Sequence, residues 1–535
     1  MRDSQAGRRP TLRALRLIAV AVGVLAIAVA CTETVDRPRP SDESLAPLAP
    51  RGQPVLPLPD AKYEKNFSEG FSDRHVDPGE RDPGIRPTAP PGLPLRLPDD
   101  VPIDHVVFVI KENRTFDHFF GRYPGADGAT TGTAFDGRSV PLATAPDVFD
   151  NHIAHGFWSG LYAVDGGRMD GFNLISGGQT LLGYSQFGRD GIPNYWKYAD
   201  RFVLGDRFFT SEYGPTFVEH LYTIAAQSNG VMDNRAQGVP RAGGYCDDKK
   251  SFTPAFPPEV IGGDLTDPHI SKIVRLQNQI ADDSPDNLWG IASYLSVIRT
   301  CFDIKTLPDL LEKAKISWRY YSTDVFPIGE VLRAIKHIRE GPMWRNVHPS
   351  EEFFHDLENG KLSSVTWLKP PAPYNEHPNL PGKEPSVCAG ENWTVSVMNE
   401  LQRSPFWKST AVVVVWDDFG GFYDHVVPPQ YDIMGLGPRT PALILSPYTR
   451  KGDNPLGGAI DSHTYEFASV LKFIEEIFGL PSLTHRDGQA DPLTGAFDFS
   501  SPPDMRRLIL PLRKDCPYGT SPPFLDADGN ATEGP

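Results

Sequence analysis

The sequence predicts an α/β domain built on a central, mainly parallel sheet, and three observations predict it. Val106-Val107-Phe108-Val109-Ile110 is a short continuous apolar run, and Ala411-Val412-Val413-Val414-Val415-Trp416 is a second of the same character. Strands buried on both faces of a parallel sheet read this way, because neither face meets water. The third observation is that both runs end in hard oxygen ligands, Glu112-Asn113 after the first and Asp417-Asp418 after the second. Val365-Thr366-Trp367-Leu368 and Ala442-Leu443-Ile444-Leu445 are weaker strand candidates. Helical spacing falls between these runs. Phe467, Leu471, Ile474 and Phe478 share one face of a helix predicted within His463 to Leu480, with Asp461 and Ser462 placed to cap its start and Gly479 and Pro481 ending it. A shorter helix is predicted from Leu307 to Lys315. Strands alternating with helices imply helices flanking the sheet.

The 535 residues are 39% apolar and 22% charged, ample for a sizeable core. At the N-terminus, basic residues up to Arg16 precede an uncharged run from Leu17 to Ala30, the order of an export signal and too short for a comfortable membrane span. Arg8-Arg9 is a weak twin-arginine pattern. Cys31 directly after Val29-Ala30 resembles a lipoprotein cleavage box, although Ala28 stands where Leu is usual. Two readings stand: Cys31 is lipidated and tethers the protein to a membrane, or cleavage falls nearby and Cys31 is incidental. Five arginines against Asp3 give the first thirty residues +4, so a chain lacking them goes from −16 to −20. That balance argues against a nucleic-acid partner, since no surplus basic surface is left for phosphates. An anionic substrate would need a metal or local groups to hold it against the overall field.

Residues 1–31 thus read as a leader and 32–102 as a Pro-rich linker. One α/β domain is expected over 103–516, with long insertions of which the stretch around Ala236 to Ser293 is foremost, and 517–535 reads as a flexible tail. Cys246, Cys301, Cys388 and Cys516 could pair in three ways in an oxidising compartment or remain buried thiols; none has the spacing of a thiolate zinc site.

In open α/β sheets ligands bind at the carboxyl ends of the strands, where Glu112-Asn113 and Asp417-Asp418 fall. Adjacent carboxylates on a strand point to opposite faces, so a shared site needs the chain to turn, which Gly420-Gly421 permits. Carboxylate and amide oxygens with no Cys nearby suit a hard divalent cation.

Ile103-Asp104-His105 through Lys111-Glu112-Asn113-Arg114-Thr115-Phe116-Asp117-His118-Phe119-Phe120-Gly121 resembles the opening signature of the bacterial phosphoesterase family that contains phospholipases C and related acid phosphatases. The resemblance continues through Gly166-Gly167-Arg168-Met169-Asp170-Gly171-Phe172, Gly214-Pro215-Thr216, Trp416-Asp417-Asp418-Phe419-Gly420-Gly421-Phe422-Tyr423-Asp424-His425-Val426 and Pro438-Arg439-Thr440-Pro441, in family order, covering His105 to about Asp487. It implies an alkaline-phosphatase-like α/β core. It also implies a divalent metal held by Glu112, Asn113, Thr216, Asp417 and Asp418, with Thr216 the nucleophile and a phosphothreonine intermediate. A threonine hydroxyl is a poor nucleophile near neutral pH and needs a metal or a base beside it, which agrees with that assignment.

Thr210 and Ser211 are rivals to Thr216, which stands where a helix from Phe217 to Ala226 would begin and attract phosphate. His155 and His377 are expected as helpers, with His425 and His463 divided between catalysis and core support. Many relatives have Asn where this chain has Glu219, before His220. His118 would hold the Asn113 loop, and Arg114 would pair with phosphate or, more simply, with Asp117. The expected activity is hydrolysis of a phosphomonoester or a phospholipid diester by an exported enzyme. The alternatives are a non-catalytic surface lipoprotein acting as a binding module, and a phosphotransferase or sulfatase on the same fold. No ligand position is lost, and no sulfatase-type maturation motif lies near Thr216.

Overall fold

The computed structural model describes residues 95–516 except 150, 235–243, 262–264, 266, 281–289, 324–328, 373, 379–384 and 455. The leader, the tail and nearly all of the linker lie outside the described residues. Where the linker enters them, the Leu97 N–H donates to Glu476 Oε2 at 2.7 Å.

Eight strands form the central sheet: β1 (His105–Lys111), β2 (Val203–Gly205), β3 (Trp318–Tyr321), β4 (Val347–His348), β5 (Val365–Leu368), β6 (Thr410–Trp416), β7 (Ala442–Leu445) and β8 (Ala459–Asp461). Their spatial order is β4-β3-β5-β1-β6-β7-β2-β8. Only β7 runs antiparallel to its neighbours, so the sheet is mainly parallel.

The two apolar runs are the sheet's centre, and the period-2 alternation of side chains explains why they are apolar throughout. Val107 and Val109 of β1, with Val412, Val414 and Trp416 of β6, face one core; Val106, Phe108 and Ile110, with Ala411, Val413 and Val415, face the other. Helix α1 (Phe116–Phe120) and helix α3 (Val387–Arg403) cover the first face, while α2 (Thr216–Ala225) and α4 (Phe467–Ile477) cover the second. Each fully buried aliphatic contributes about 1.5–3 kcal/mol, so the three-layer arrangement is set by these strands.

One detail differs from the sequence reading. Helix α4 starts later, capped by Glu466 in a capping box with Ser469, because Asp461 is still in β8, paired with Gly205 of β2. The shorter helix, Leu307–Ala314, is capped by Thr306 and Asp309. The insertion around Ala236 to Ser293 contributes the strand Phe252–Ala255, which pairs antiparallel with Ser296–Arg299, and the helix Pro268–Asn278.

All four cysteines of the domain are paired, Cys246 with Cys301 and Cys388 with Cys516. The second bond ends a segment that lies along α3, where Asn392, Asn399 and Gln402 bond both the C=O and the N–H of Arg513, Leu510 and Leu508 in turn. Amide side chains spaced along a helix thereby satisfy a strand-like backbone that has no sheet partner there.

Candidate metal centre and active site

β1 and β6 pair in parallel with Lys111 opposite Trp416, so the next residues, Glu112 and Asp417, leave the sheet side by side. Asn113 then turns into the left-handed region at φ 63°, a conformation Asn tolerates better than most residues. The turn aims the Asn113 N–H at Asp417 Oδ1 (2.9 Å) and its Nδ2 at Asp418 Oδ1 (2.7 Å). On the other strand the chain turns at Gly420, φ 61°, where a Cβ would lie 2.5 Å from the Asn113 carbonyl oxygen; only glycine fits. The Gly420 N–H donates to Asp418 Oδ1 (2.7 Å), holding that carboxylate toward Asn113. The two strand ends are stitched together by the residues expected to hold metal.

Thr216 is the first residue of α2, is buried, and donates its hydroxyl to Asp418 Oδ2 at 3.3 Å. The rivals are placed otherwise: Thr210 gives its hydroxyl to the Glu212 carbonyl, and the Ser211 N–H is held by Glu219. The N–H groups of Phe217, Val218 and Glu219 already serve Asn234 Oδ1 and the Pro215 carbonyl. The helix start therefore offers a phosphate its dipole rather than those three donors.

His220 lies one helical turn beyond Thr216 on the same face, and its Nε2 is 3.6 Å from Asp417 Oδ2. Glu112, His220 and Asp417 each present a ligand atom within 4.8 Å of the others, all three buried. The sequence reading left His220 without a role; the i, i+4 spacing from Thr216 was the available signal. Lys369, at the end of β5, was also missed, and its Nζ lies 3.8 Å from Glu112 Oε1.

The donor set suits a hard divalent cation. Asn113 Oδ1 and Asp417 Oδ2 are buried without a hydrogen bond, a state that costs about 1–3 kcal/mol for each atom unless something coordinates it. The acids point the same way. Burial and the neighbouring Asp417 charge push the Asp418 carboxyl well above the usual carboxylate range. Asp417 is held down to about 2, its own burial outweighed by His220, the Asn113 N–H and the Thr216 hydroxyl. Two carboxyls forced together cannot both keep a charge unless a cation lies between them.

His155 and His377 come together at the same end, ring centroids 5.6 Å apart, and both feel the Asp417 charge. Burial lowers His155 to about 4 and His377 to about 3, so both rings are neutral near pH 7. Nδ1 of each lies 2.7 Å from a backbone carbonyl, that of Ile153 or of Pro378. A carbonyl only accepts, so Nδ1 carries the proton and Nε2 presents a lone pair. His152 joins them, 5.0 Å from His155 and 6.4 Å from His377 by centroid, a third imidazole that the sequence reading did not single out.

His425 is placed differently. Its Nδ1 bonds Asp117 Oδ2 at 2.7 Å and its Nε2 bonds Asp127 Oδ1 at 3.3 Å, within an ion network in which buried Arg439 bridges Asp424 and Asp117. Asp117, Asp424 and His425 have the composition of a metal site, but Arg439 and backbone N–H groups already occupy the carboxylate oxygens. His463 bonds Asp461 at 2.6 Å.

Arg114 does not pair with Asp117. Its guanidinium is buried over Phe422, Phe149 and Phe119, 4.9, 5.3 and 5.8 Å from the ring centroids, and donates to the Asn113 carbonyl at 2.6 Å, fixing the left-handed turn. Burial lowers it to about 10. His118 bonds the Ser185 carbonyl at 2.6 Å and packs on Phe422 rather than on the Asn113 turn itself. A separate surface cleft of about 650 Å³, lined by Ile304, Leu310, His337 and Leu480, shares no residue with the site. Among the described residues no helix is long and apolar enough to cross a membrane.

The chain resembles several known proteins. Phospholipase C A of Mycobacterium tuberculosis is 25% identical over 476 residues, covering 76% of this chain and 79% of that protein. The non-specific phospholipase C6 of Arabidopsis thaliana is 26% identical, covering 78% and 74%. The non-hemolytic phospholipase C of Burkholderia pseudomallei is 25% identical, covering 75% of this chain and 59% of that protein. Among solved structures, a protein in the alkaline phosphatase superfamily from Vibrio parahaemolyticus overlaps 82% of this chain and 79% of its own at 10% identity, with a TM-score of 0.34. The sequence profile of the phosphoesterase family matches residues 103–481, from the start of β1 to just past α4, and the chain belongs to that family of phosphoric-ester hydrolases.

Proposed function

We propose that this chain is an exported hydrolase of phosphoesters that uses Thr216 as nucleophile and a divalent cation held by Glu112, Asn113, Asp417, Asp418, Thr216 and His220. The observation that carries the proposal is the Thr216 hydroxyl bonded to Asp418 at a helix start, beside the buried Asn113 Oδ1 and Asp417 Oδ2, which accept no hydrogen bond. A bound divalent cation would lower the hydroxyl pKa and screen phosphoryl charge.

The chain's own groups supply the rest. Asp418 orients the Thr216 hydroxyl, and the α2 dipole favours the negative phosphoryl group at the same place. In the first step the Thr216 Oγ–P bond forms as the P–O bond to the leaving group breaks. The hydroxyl proton passes first to Asp418 Oδ2, which accepts it in the resting site, and reaches the leaving oxygen through an unprotonated Nε2, that of His155 or His377. In the second step water attacks phosphorus as the Thr216 Oγ–P bond breaks, and the proton water loses passes through the same Nε2 to Thr216 Oγ, freeing the phosphoryl product and restoring Thr216.

Phospholipid is the substrate class to test first, because the relatives carry the name phospholipase C. Two disulfides support an oxidising compartment and hence export. The test is to give the purified chain a phosphatidylcholine vesicle and a chromogenic phosphomonoester, with divalent metals and with chelator. Phosphocholine or phosphate should be released, chelator should stop it, and Thr216→Ala should lower kcat by at least roughly 10³-fold. Unchanged turnover in Thr216→Ala removes the nucleophile assignment.

A further inference from the structure

One buried carboxylate touches the neighbours of two groups of the site and is itself the neighbour of a third. Glu376 is wholly buried, and its Oε1 lies 2.8 Å from Lys111 Nζ, also wholly buried. The same oxygen accepts from the Tyr195 hydroxyl at 2.6 Å, while Oε2 accepts from Trp416 Nε1 at 2.8 Å. Lys111 precedes Glu112, Trp416 precedes Asp417, and Glu376 itself precedes His377. Lys111 and Trp416 are also the last register pair of β1 and β6.

The surroundings are built for this contact. Lys111 spends its remaining donors on the Tyr374 and Gly390 carbonyls, at 3.0 and 2.8 Å. Gly390 lies inside α3, where any Cβ would collide with the Glu376 side chain; a glycine there leaves the slot the carboxylate fills. Glu376 holds a left-handed φ of 73°, unfavourable for a residue with a Cβ and sustained only by its surroundings. The Glu112 N–H donates to the Asn375 carbonyl at 2.9 Å, so the turn meets the β1 end at Glu112 as well as at Lys111, while the His377 N–H closes the turn on Asn375 Oδ1 at 3.1 Å.

We infer that Glu376 is a positioning residue: its buried contacts with Lys111 and Trp416 set the strand ends so that Glu112, Asp417 and His377 converge on one centre. The inference rests on the metal-dependent reading above and adds what holds its geometry. A carboxylate is suited to this because it accepts from three donors at once while neutralising the lysine; no neutral side chain does both. Outer partners of metal ligands typically change metal affinity or activity by about 10–100-fold, whereas a residue serving packing alone changes the folded fraction.

The experiment compares wild type with Glu376→Gln and Trp416→Phe, reading Mn²⁺ affinity by electron paramagnetic resonance and kcat and KM on a chromogenic phosphomonoester, each normalised to folded protein by near-ultraviolet circular dichroism. Both variants should lose roughly 10-fold or more in Mn²⁺ affinity and in kcat, with KM moving less. A folded variant of either kind that binds Mn²⁺ and turns over like wild type overturns the inference. If Glu376→Gln does not fold, Trp416→Phe decides, since it removes a single donor from the carboxylate. Wild type that binds no divalent cation sinks the metal reading and this inference with it, which separates that failure from one confined to the variants.

Discussion

Arg439→Met probes the ion network behind the active site most directly. Arg439 has no exposed surface, donates to Asp424 at 2.9 and 3.2 Å and to the Asp127 and Asp206 carbonyls at 2.8 and 2.6 Å, reaches Asp117 at 3.4 Å, and lies 4.6 Å from the Phe116 ring centroid. Methionine preserves much of the volume but leaves two buried carboxylates facing each other, a defect worth about 3–5 kcal/mol. At about 1 °C per kcal/mol for a domain of this size, the thermal midpoint should fall by roughly 3–6 °C. The pH dependence has a definite sign. Asp424 already sits at about 6, raised by burial and by Asp117 against the pull of Arg439, so its protonated form is favoured in the folded state. A raised carboxyl contributes stability at low pH that is lost as pH rises through its folded value. Removing the arginine raises it further, so the defect should be larger at pH 7.5 than at pH 5. Adding Asp424→Asn should restore at least half, because Asp117 keeps His425 and backbone donors. Calorimetry at the two pH values tests this. A single variant within about 1 kcal/mol of wild type, or a double variant no better than the single, refutes the buried-charge account.

Because burial lowers His155 to about 4 and His377 to about 3, both bases stay unprotonated until the medium is strongly acidic. An acid limb in kcat/KM contributed by these imidazoles should therefore lie near pH 4 or below, and a limb centred at pH 6.5 that vanishes in His377→Asn would refute the neutral-imidazole assignment. The bond between Cys388 and Cys516 closes a loop of 128 residues in sequence and pins the segment lying on α3, so Cys388→Ser with Cys516→Ser should cost about 2–5 kcal/mol in denaturant titrations; an unchanged midpoint would show that the amide contacts of α3 suffice. If Cys31 carries a lipid, Cys31→Ala should move the full-length protein from the membrane fraction to the soluble fraction of expressing cells, and identical fractionation rules the tether out.

What could be read in advance follows the range of the interactions involved. The centre of the sheet was legible because burial on both faces leaves a local mark, an unbroken apolar run, and because parallel strands deliver their carboxyl ends to one edge; Glu112 and Asp417 needed nothing further to meet. The start of α4 was misplaced for the converse reason. Asp461 is as good a cap as Glu466 in isolation, and its pairing with Gly205 of a strand more than 250 positions away leaves no trace in its own neighbourhood. Arg114 and Arg439 show the same limit in chemistry. Both are arginines near Asp117 in the folded protein, and proximity in sequence favoured the wrong one.

That exchange of partners explains how the Asn113 turn is kept in place. A lone arginine bound to Asp117 would sit in the ion network and leave the Asn113 carbonyl unsupported in a left-handed turn. With Arg439 arriving from the residues before β7 to neutralise Asp117 and Asp424, Arg114 is released to lie among three aromatic rings and hold that carbonyl at 2.6 Å. Glu376 does the corresponding work beneath the strand ends, paired with Lys111 rather than with an exposed partner. The site's oxygens can stay underbonded and ready for a cation because the residues beside them in sequence have their bonding needs met elsewhere. The cation site proposed between the two strand ends therefore leans on buried contacts one residue removed from its ligands, Lys111 and Trp416 with Glu376 and Arg114 with the Asn113 carbonyl, and substitutions there should perturb the chemistry before they unfold the protein.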